Sequence, residues 1–262
     1  MTVAEAIAAS GIERGEARLL LAEVAGFSQA SLAASPEQDI PFEVENAFFE
    51  LAKRRAHGEP VAYILGHKEF YGLDLSVNPT VLVPRPETEL LVDLALERNA
   101  GRVLDLGTGS GAVALAIKHE RPACKVVAVD ADLSALLTAQ RNAQKLNLEV
   151  DFRHGLWFGP VAGERFDLVV ANPPYVASGD PHLPSLRFEP RGALVAGVDR
   201  LDAIREIVAE AKPFLAPGAW LLLEQGQGQD AAVRRLMDEA GLETVTSWPD
   251  LAGIPRVTGG KV

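Results

Sequence analysis

A single cysteine, Cys124, is the whole thiol content of the chain. One thiol excludes an internal disulfide and a cysteine-rich metal centre, and a reducing cytoplasm is the simplest expected setting. No apolar run approaches the roughly 18 residues that a membrane span requires. The opening residues, Met1-Thr2-Val3-Ala4-Glu5, lack a basic stretch followed by an apolar core. Those two absences predict a soluble, unprocessed chain with no membrane partner. Positive charge is also scarce: 25 Lys and Arg stand against 36 Asp and Glu, for a net charge of -11. Proteins that grip bare duplex nucleic acid carry a basic face that releases counterions from phosphate, so no direct duplex partner is expected. His67, His154 and His182 have no ligand spacing and read as structural or solvated. No metal is expected, and no internal repeat or low-complexity stretch is visible.

What the chain does have is 262 residues with 48% hydrophobic content, enough for one large core and a small appendage. Up to His57 the apolar residues recur at helical spacing, as in Ala17, Leu20, Leu21 and Val24 or Phe48, Leu51 and Ala52. Gly11, Gly26, Pro36 and Pro41 cut this region into short helices. From Val61 to Val83 the composition shifts to Tyr63, Ile64, Phe70, Tyr71, Leu75 and Val77 with turn residues at Gly66, Gly72 and Asn78-Pro79. That stretch is expected to be a β-hairpin linker. Pro84-Arg85-Pro86 should then open a helix running to about Arg98.

Beyond Gly101, short β-rich runs alternate with amphipathic segments. The expected strands are 102–106, 125–130, 149–153, 166–171 and 219–224, and the expected helices 112–120, 133–146, 201–212 and 230–240. Such alternation predicts a mostly parallel sheet with helices on both faces. Residues 244–248 and 256–258 leave no room for a crossover helix, so they are expected to pair antiparallel at the sheet edge.

Asp105-Leu106-Gly107-Thr108-Gly109-Ser110-Gly111 joins an expected strand to an expected helix. Glycines let the backbone turn sharply and approach a ligand, with free N–H groups at the helix start facing it. With Ala112 the spacing also fits a dinucleotide fingerprint, and the loop alone does not decide between ligands. Asp130 ends the next strand, where a carboxylate can accept from ribose hydroxyls. Capping the following helix is its alternative role, for which Asp132 competes. Trp157 can stack on adenine or serve the core.

Phe166–Ala171 delivers Asn172-Pro173-Pro174-Tyr175 at a strand's carboxyl end, where open parallel sheets place their ligands. Two prolines fix φ and remove two donors, leaving a stiff loop that displays acceptors. An amide or aromatic-amine nitrogen is a poor nucleophile because its lone pair is delocalised. Accepting its two N–H bonds on the Asn172 side-chain carbonyl and the Pro173 backbone carbonyl would turn the lone pair toward a methyl donor, with Tyr175 stacked over the planar group. Dinucleotide chemistry accounts for the glycine loop and Asp130 but not for this third element. A proline-rich turn begun by Asn172 is the bland reading.

These segments resemble the release factor glutamine methyltransferase family. The resemblance runs through residues 17–24, Tyr63-Ile64-Leu65-Gly66, Val83-Pro84-Arg85-Pro86-Glu87-Thr88-Glu89, the glycine and Asn-Pro-Pro-Tyr loops, Phe188-Glu189-Pro190-Arg191, and Asp250-Leu251-Ala252-Gly253 near Arg256-Val257. It implies an α/β protein: a class I, Rossmann-like methyltransferase domain (85–262), with a mostly parallel sheet and an antiparallel edge strand. A small helical domain (1–58) that helps hold the substrate would precede it, joined by a hairpin linker (59–84). The implied reaction moves a methyl group from S-adenosylmethionine to the N5 side-chain amide nitrogen of the glutamine in the Gly-Gly-Gln motif of class 1 peptide-chain release factors, leaving S-adenosylhomocysteine. Gly107, Thr108, Gly109, Ser110, Gly111, Asp130, Trp157 and Asn172 would contact the cofactor, and Asn172, Pro173, Pro174 and Tyr175 the glutamine.

Pro84–Glu89 suits either helix capping or the cofactor pocket, and Phe188–Arg191 reads as a lid or, through Arg191, as a surface ion pair. One departure stands out: the family often has an acid where this chain has Leu156, which cannot accept from the adenine amino group. Competing functions are a DNA adenine-N6 or ribosomal RNA guanine-N2 methyltransferase, and a non-catalytic adenosylmethionine-binding module.

Overall fold

The computed structural model describes residues 1–262 as two compact units, Met1–His67 and Lys68–Val262. The first unit holds five helices: α1 (Val3–Ala9), α2 (Arg14–Ala25), α3 (Gln29–Ala34), α4 (Phe42–Ala56) and α5 (Val61–Leu65). Thr2 and Glu5 start α1 with a reciprocal capping box, and Gly26, at φ 68°, ends α2 in the left-handed region. Ala17, Leu20 and Leu21 fall on one face of α2 and pack with Phe48 and Ala52 of α4. Arg55 pairs with Glu16 at 2.8 Å across the same two helices.

Val61–Leu65 corrects the expectation of a strand there. Pro60 sits at its N-cap and Gly66, at φ 78°, closes it after one short helix. Val61, Ile64 and Leu65 are spaced by three and four, so they share a face that packs into the first unit's core. Their β-prone side chains masked that period. The hairpin is confined to β1 (His67–Phe70) and β2 (Leu73–Ser76). Its two-residue turn, Tyr71-Gly72, has φ 51° and 75°, the sign that right-twisted antiparallel strands demand.

In the second unit a short 3-10 turn, Pro86–Thr88, leads into α6 (Glu89–Glu97). Strands and helices then alternate: β3 (Arg102–Leu106), α7 (Ala112–Glu120), β4 (Lys125–Asp130), α8 (Leu133–Leu146), β5 (Asp151–His154), β6 (Phe166–Ala171), α9 (Asp202–Ala211), β7 (Leu215–Glu224), α10 (Asp230–Glu239), β8 (Glu243–Pro249) and β9 (Pro255–Lys261). The sheet order is β5-β4-β3-β6-β7-β9-β8, parallel as far as β7 and antiparallel for β9 against both neighbours. No helix is long and apolar enough to cross a membrane.

Alternation along β3 shows how the layers form. Val103 points into one apolar cluster with Leu115 of α7, whereas Leu104 and Leu106 point into another with Ile204 and Ile207 of α9. Both faces of the sheet are therefore covered. Strand bounds moved: β5 lies one to two residues later than expected, β7 begins at Leu215, β8 is longer by one residue at each end, and β9 runs on to Lys261. Pro217-Gly218 reads as a turn, yet the pairing with β6 jumps from Phe166↔Leu215 to Leu168↔Trp220 and absorbs those residues as an irregularity.

Gly259 of β9 is held by packing. A Cβ there would lie 2.9 Å from the Leu221 carbonyl oxygen. Chain order reverses between β3 and β6, and the register sets Leu106 level with both Ala171 and Val129. Loops leaving β3, β4 and β6 thus start at one height beside the switch point, where such sheets bind ligands.

Candidate active site

A cavity of about 560 Å³ opens at these strand ends. Its walls come from the glycine loop, Asp130 to Leu133, Gly155 to Trp157, Asn172, Pro174, the segment before α6 and the segment after Glu189.

Gly107, Gly109 and Gly111 take φ of 71°, 57° and 84°, which explains the glycines. Four N–H groups of the loop are engaged within the protein. Gly107 and Thr108 donate to the Val129 carbonyl at 2.8 and 3.0 Å, and Gly111 donates to Thr108 at 2.8 Å. Gly109 donates to Asp130 Oδ2 at 2.8 Å. The tight crossing of β3 and β4 uses these donors up, so they form no phosphate cradle. Three carboxylates, on Asp105, Asp130 and Asp132, line the cavity as well. A pyrophosphate would meet like charge there, whereas a cationic ligand with an adenosine body fits.

The roles of the two neighbouring aspartates separate. Asp132 is the N-cap of α8, accepting from Ser134 and Ala135. Asp130 accepts from Gly109 through Oδ2 and from the Asp132 N–H at 2.8 Å through Oδ1. Each oxygen retains a lone pair for a hydroxyl. Burial pushes its pKa up against those hydrogen bonds.

Trp157 sits at φ 42° and donates its Nε1–H to Glu206 at 2.8 Å. Its ring lies beside Gly107, where an added Cβ would be 3.6 Å away, and it also packs on the apolar cluster under the sheet. It is both cavity wall and core edge. Leu156 lines the cavity and is 58% exposed.

Asn172 donates through Nδ2 to Thr88 Oγ1 at 3.1 Å, and its Oδ1 is buried without a partner. Pro174 lines the cavity, while Pro173 and Tyr175 do not. Tyr175 donates instead to Glu224 Oε1 at 3.1 Å. Burial first, and then the Glu224 charge, push the phenol pKa upward, so it stays a donor.

Asp105 and Glu224 escaped sequence reasoning. Asp105, 2% exposed, accepts from the Thr108 hydroxyl at 2.6 Å, and burial pushes its pKa up to about 7. Glu224 is likewise pushed up to about 7, chiefly by burial. Thr88 is 4% exposed and lines the cavity together with Pro84 and Arg85, so the segment before α6 is part of the wall. Glu189, rather than Arg191, makes the ion pair of its segment: it holds Arg85 at 2.5 Å and the Val83 N–H at 3.2 Å. An acid inside an otherwise apolar strand, as in Arg102-Val103-Leu104-Asp105-Leu106 or Leu221-Leu222-Leu223-Glu224, was the available signal for Asp105 and Glu224. His154 and His182 make local contacts, with the Ala131 carbonyl and with Asp180.

Two parallel-sheet loops meeting across the switch point, one glycine-rich and one presenting an unpaired amide oxygen, define a Rossmann-like methyltransferase. Residues 86–184 match the methyltransferase small domain, and residues 3–66 match the PrmC N-terminal domain. Over 274 aligned residues, all of this chain and 96% of the relative, it is 46% identical to the release factor glutamine methyltransferase of Burkholderia pseudomallei. Identity to the same enzyme of Pseudomonas aeruginosa is 49%, over 95% of this chain and 92% of the relative. The chain belongs to the release factor glutamine methyltransferase family.

Among solved structures, a methyltransferase from Pyrococcus furiosus superposes with a TM-score of 0.58 at 20% identity, covering 80% of this chain and 96% of the other. A Thermus thermophilus 16S rRNA N2 G1207 methyltransferase, in complex with AdoMet and guanosine, gives 0.55 at 23% identity, covering 74% and 49%. At such identities the two share the fold.

Proposed function

We propose that this chain transfers the methyl group of S-adenosylmethionine to the N5 side-chain amide nitrogen of the Gly-Gly-Gln glutamine of class 1 release factors. The observation that carries the reading is the buried Asn172 Oδ1, which has no partner and belongs to a residue that lines the cavity. A buried acceptor without a donor costs about 1–3 kcal/mol unless a ligand supplies one. A primary amide supplies an N–H of the right kind.

The donor, when bound, supplies a methyl electrophile on a sulfonium sulfur. Asp130 would accept from the ribose, Trp157 would flank the adenine, and the Asp105 and Asp132 carboxylates would favour the cationic end. Leu156 would leave the adenine amino group without a side-chain acceptor at that position. Asn172 Oδ1 and the Pro173 carbonyl would each accept one amide N–H. That fixes the nitrogen and aims its lone pair out of the amide plane, and fixed placement of this kind lowers the barrier without new chemistry on the enzyme. In the transfer the donor's C–S bond would break as the N–C bond forms, and these oxygens would face the positive charge developing on nitrogen. The amide proton then leaves to water. Residues 1–58 would help hold the release factor.

The test incubates the protein with labelled donor and either purified release factor or nucleic acid, followed by mass spectrometry of the Gly-Gly-Gln peptide. A methyl group on the glutamine is expected. Label on nucleic acid alone would overturn the reading, and donor binding without turnover would point to a non-catalytic binding module.

A further inference from the structure

We propose that Leu133 and Leu156 are specificity-determining residues that leave the donor site indifferent to the 6-substituent of the purine, so that it takes purine-ribosyl sulfonium donors as a class. The inference rests on the donor assigned above. Topology fixes where the base would lie. The strands run in the order β5-β4-β3-β6, with Asp130 ending β4 and Asn172 following β6. A ribose held at Asp130 with its methyl end toward Asn172 sends its base the other way, toward the end of β5. The walls there are Ala131 to Leu133, leading into α8, and Gly155 to Trp157, following β5.

Acceptors that could read an exocyclic amine are already engaged on both walls. The Asp130 carbonyl receives the Gly155 N–H at 2.9 Å, and the Leu156 carbonyl receives that of Gly159 at 3.0 Å. The Ala131 carbonyl receives His154 Nε2 at 3.1 Å. Asp132 Oδ1 caps α8 by accepting from Ser134 and Ala135. Trp157 brings a donor alone, and it is given to Glu206.

What the two walls offer instead is aliphatic surface. Leu133 is 54% exposed and Leu156 58% exposed, and both line the cavity. Leucine side chains hold a planar base by contact area, which is non-directional and carries no preference for an amine over a hydrogen. Exposure of more than half of each also sets the base at the cavity mouth, where water can take the amine's hydrogens. A site rejects an analogue lacking such a group when its own buried partner is left unpaired, and no side chain here plays that part.

The experiment measures by calorimetry the affinity of the full chain for S-adenosylhomocysteine, for its counterpart with hydrogen in place of the 6-amino group, and for its N6-benzyl derivative. The product is uncharged at sulfur, which keeps the carboxylate of Leu156→Asp from acting through the sulfonium charge. In the parent the three affinities should agree within about threefold, because no unpaired buried group penalises the exchange. Leu156→Asp should favour the amino form over the hydrogen form by about tenfold or more, the gain of one hydrogen bond to a charged acceptor. Leu156→Met keeps the apolar surface and should bind as the parent does. A parent preference of about tenfold for the amino form would overturn the proposal and point to the second Asp132 oxygen as the reader. Exclusion of the benzyl derivative, or no preference in Leu156→Asp, would overturn it as well. If the parent binds none of the three, the donor assignment falls first, and the two failures are told apart.

Discussion

Glu189 and Arg85 meet at 2.5 Å, and the same carboxylate accepts the Val83 N–H at 3.2 Å. The acid is 7% exposed, and it joins two chain segments that line the cavity, the one before α6 and the one that continues as Pro190 to Ala193. Its removal leaves a guanidinium and a buried N–H without their acceptor. Glu189→Ala should therefore cost about 1–3 kcal/mol of stability and loosen the donor site. Urea denaturation and donor titration check this, and parent-like values in both would refute the joining role.

The carboxylate of Asp130 is shared between holding the glycine loop and, as proposed, the ribose. Asp130→Ala should weaken donor binding by about tenfold or more, because hydrogen bonds to a charged acceptor are the stronger kind. Asp132 still caps α8, so the helix should persist by circular dichroism. Calorimetry that returned the parent affinity would count against the ribose contact.

How far the chain could be read before its structure was known differs by element. The β3 loop, Asp130 and the Asn172 loop were legible because each rests on local grammar, a strand run followed by residues with special backbone needs. Val61–Leu65 was misread since five residues of β-prone composition carry little period, and Pro60 and Gly66 decide the matter. The pairing of Thr88 with Asn172 was beyond reach for another reason. The Thr88–Asn172 bond spans 84 residues, and neither local pattern announces its partner. Tyr175 shows the same limit, since folding brought Glu224 to its hydroxyl across 49 residues of sequence.

Removing the Asn172 side chain should abolish the oxygen that receives the substrate amide. Asn172→Ala is expected to lose on the order of 10²-fold in kcat, as when one preorganised polar group is deleted from a reaction site. Donor binding should change far less. Single-turnover rates near those of the parent would remove Asn172 from the mechanism.

The buried acids also predict how stability follows pH. Glu224 and Asp105 are both pushed up to about 7, from 4.5 and 3.8. The folded state thus binds these protons more tightly than the unfolded state does. Their contribution is fully present below the unfolded values and is lost as pH rises through about 7. Between about pH 4.5 and 7 the parent should lose stability relative to Glu224→Gln, whose slope should be shallower. Denaturation series at several pH values give the two slopes, and equal slopes would rule out a raised Glu224.

The position of β9 bears on the order in which the molecule can be assembled. β8 is translated before β9, yet it reaches the sheet only through β9, which lies between β8 and β7. Until β9 emerges, β8 has no neighbour and the outer edge of β7 from Trp220 to Glu224 stays unpaired, open to strands of other chains. Glu224 sits at the end of that open edge, opposite Val257. A nascent chain stalled before β9 would therefore expose the edge of β7 that ends at Glu224, the acceptor for the Tyr175 hydroxyl.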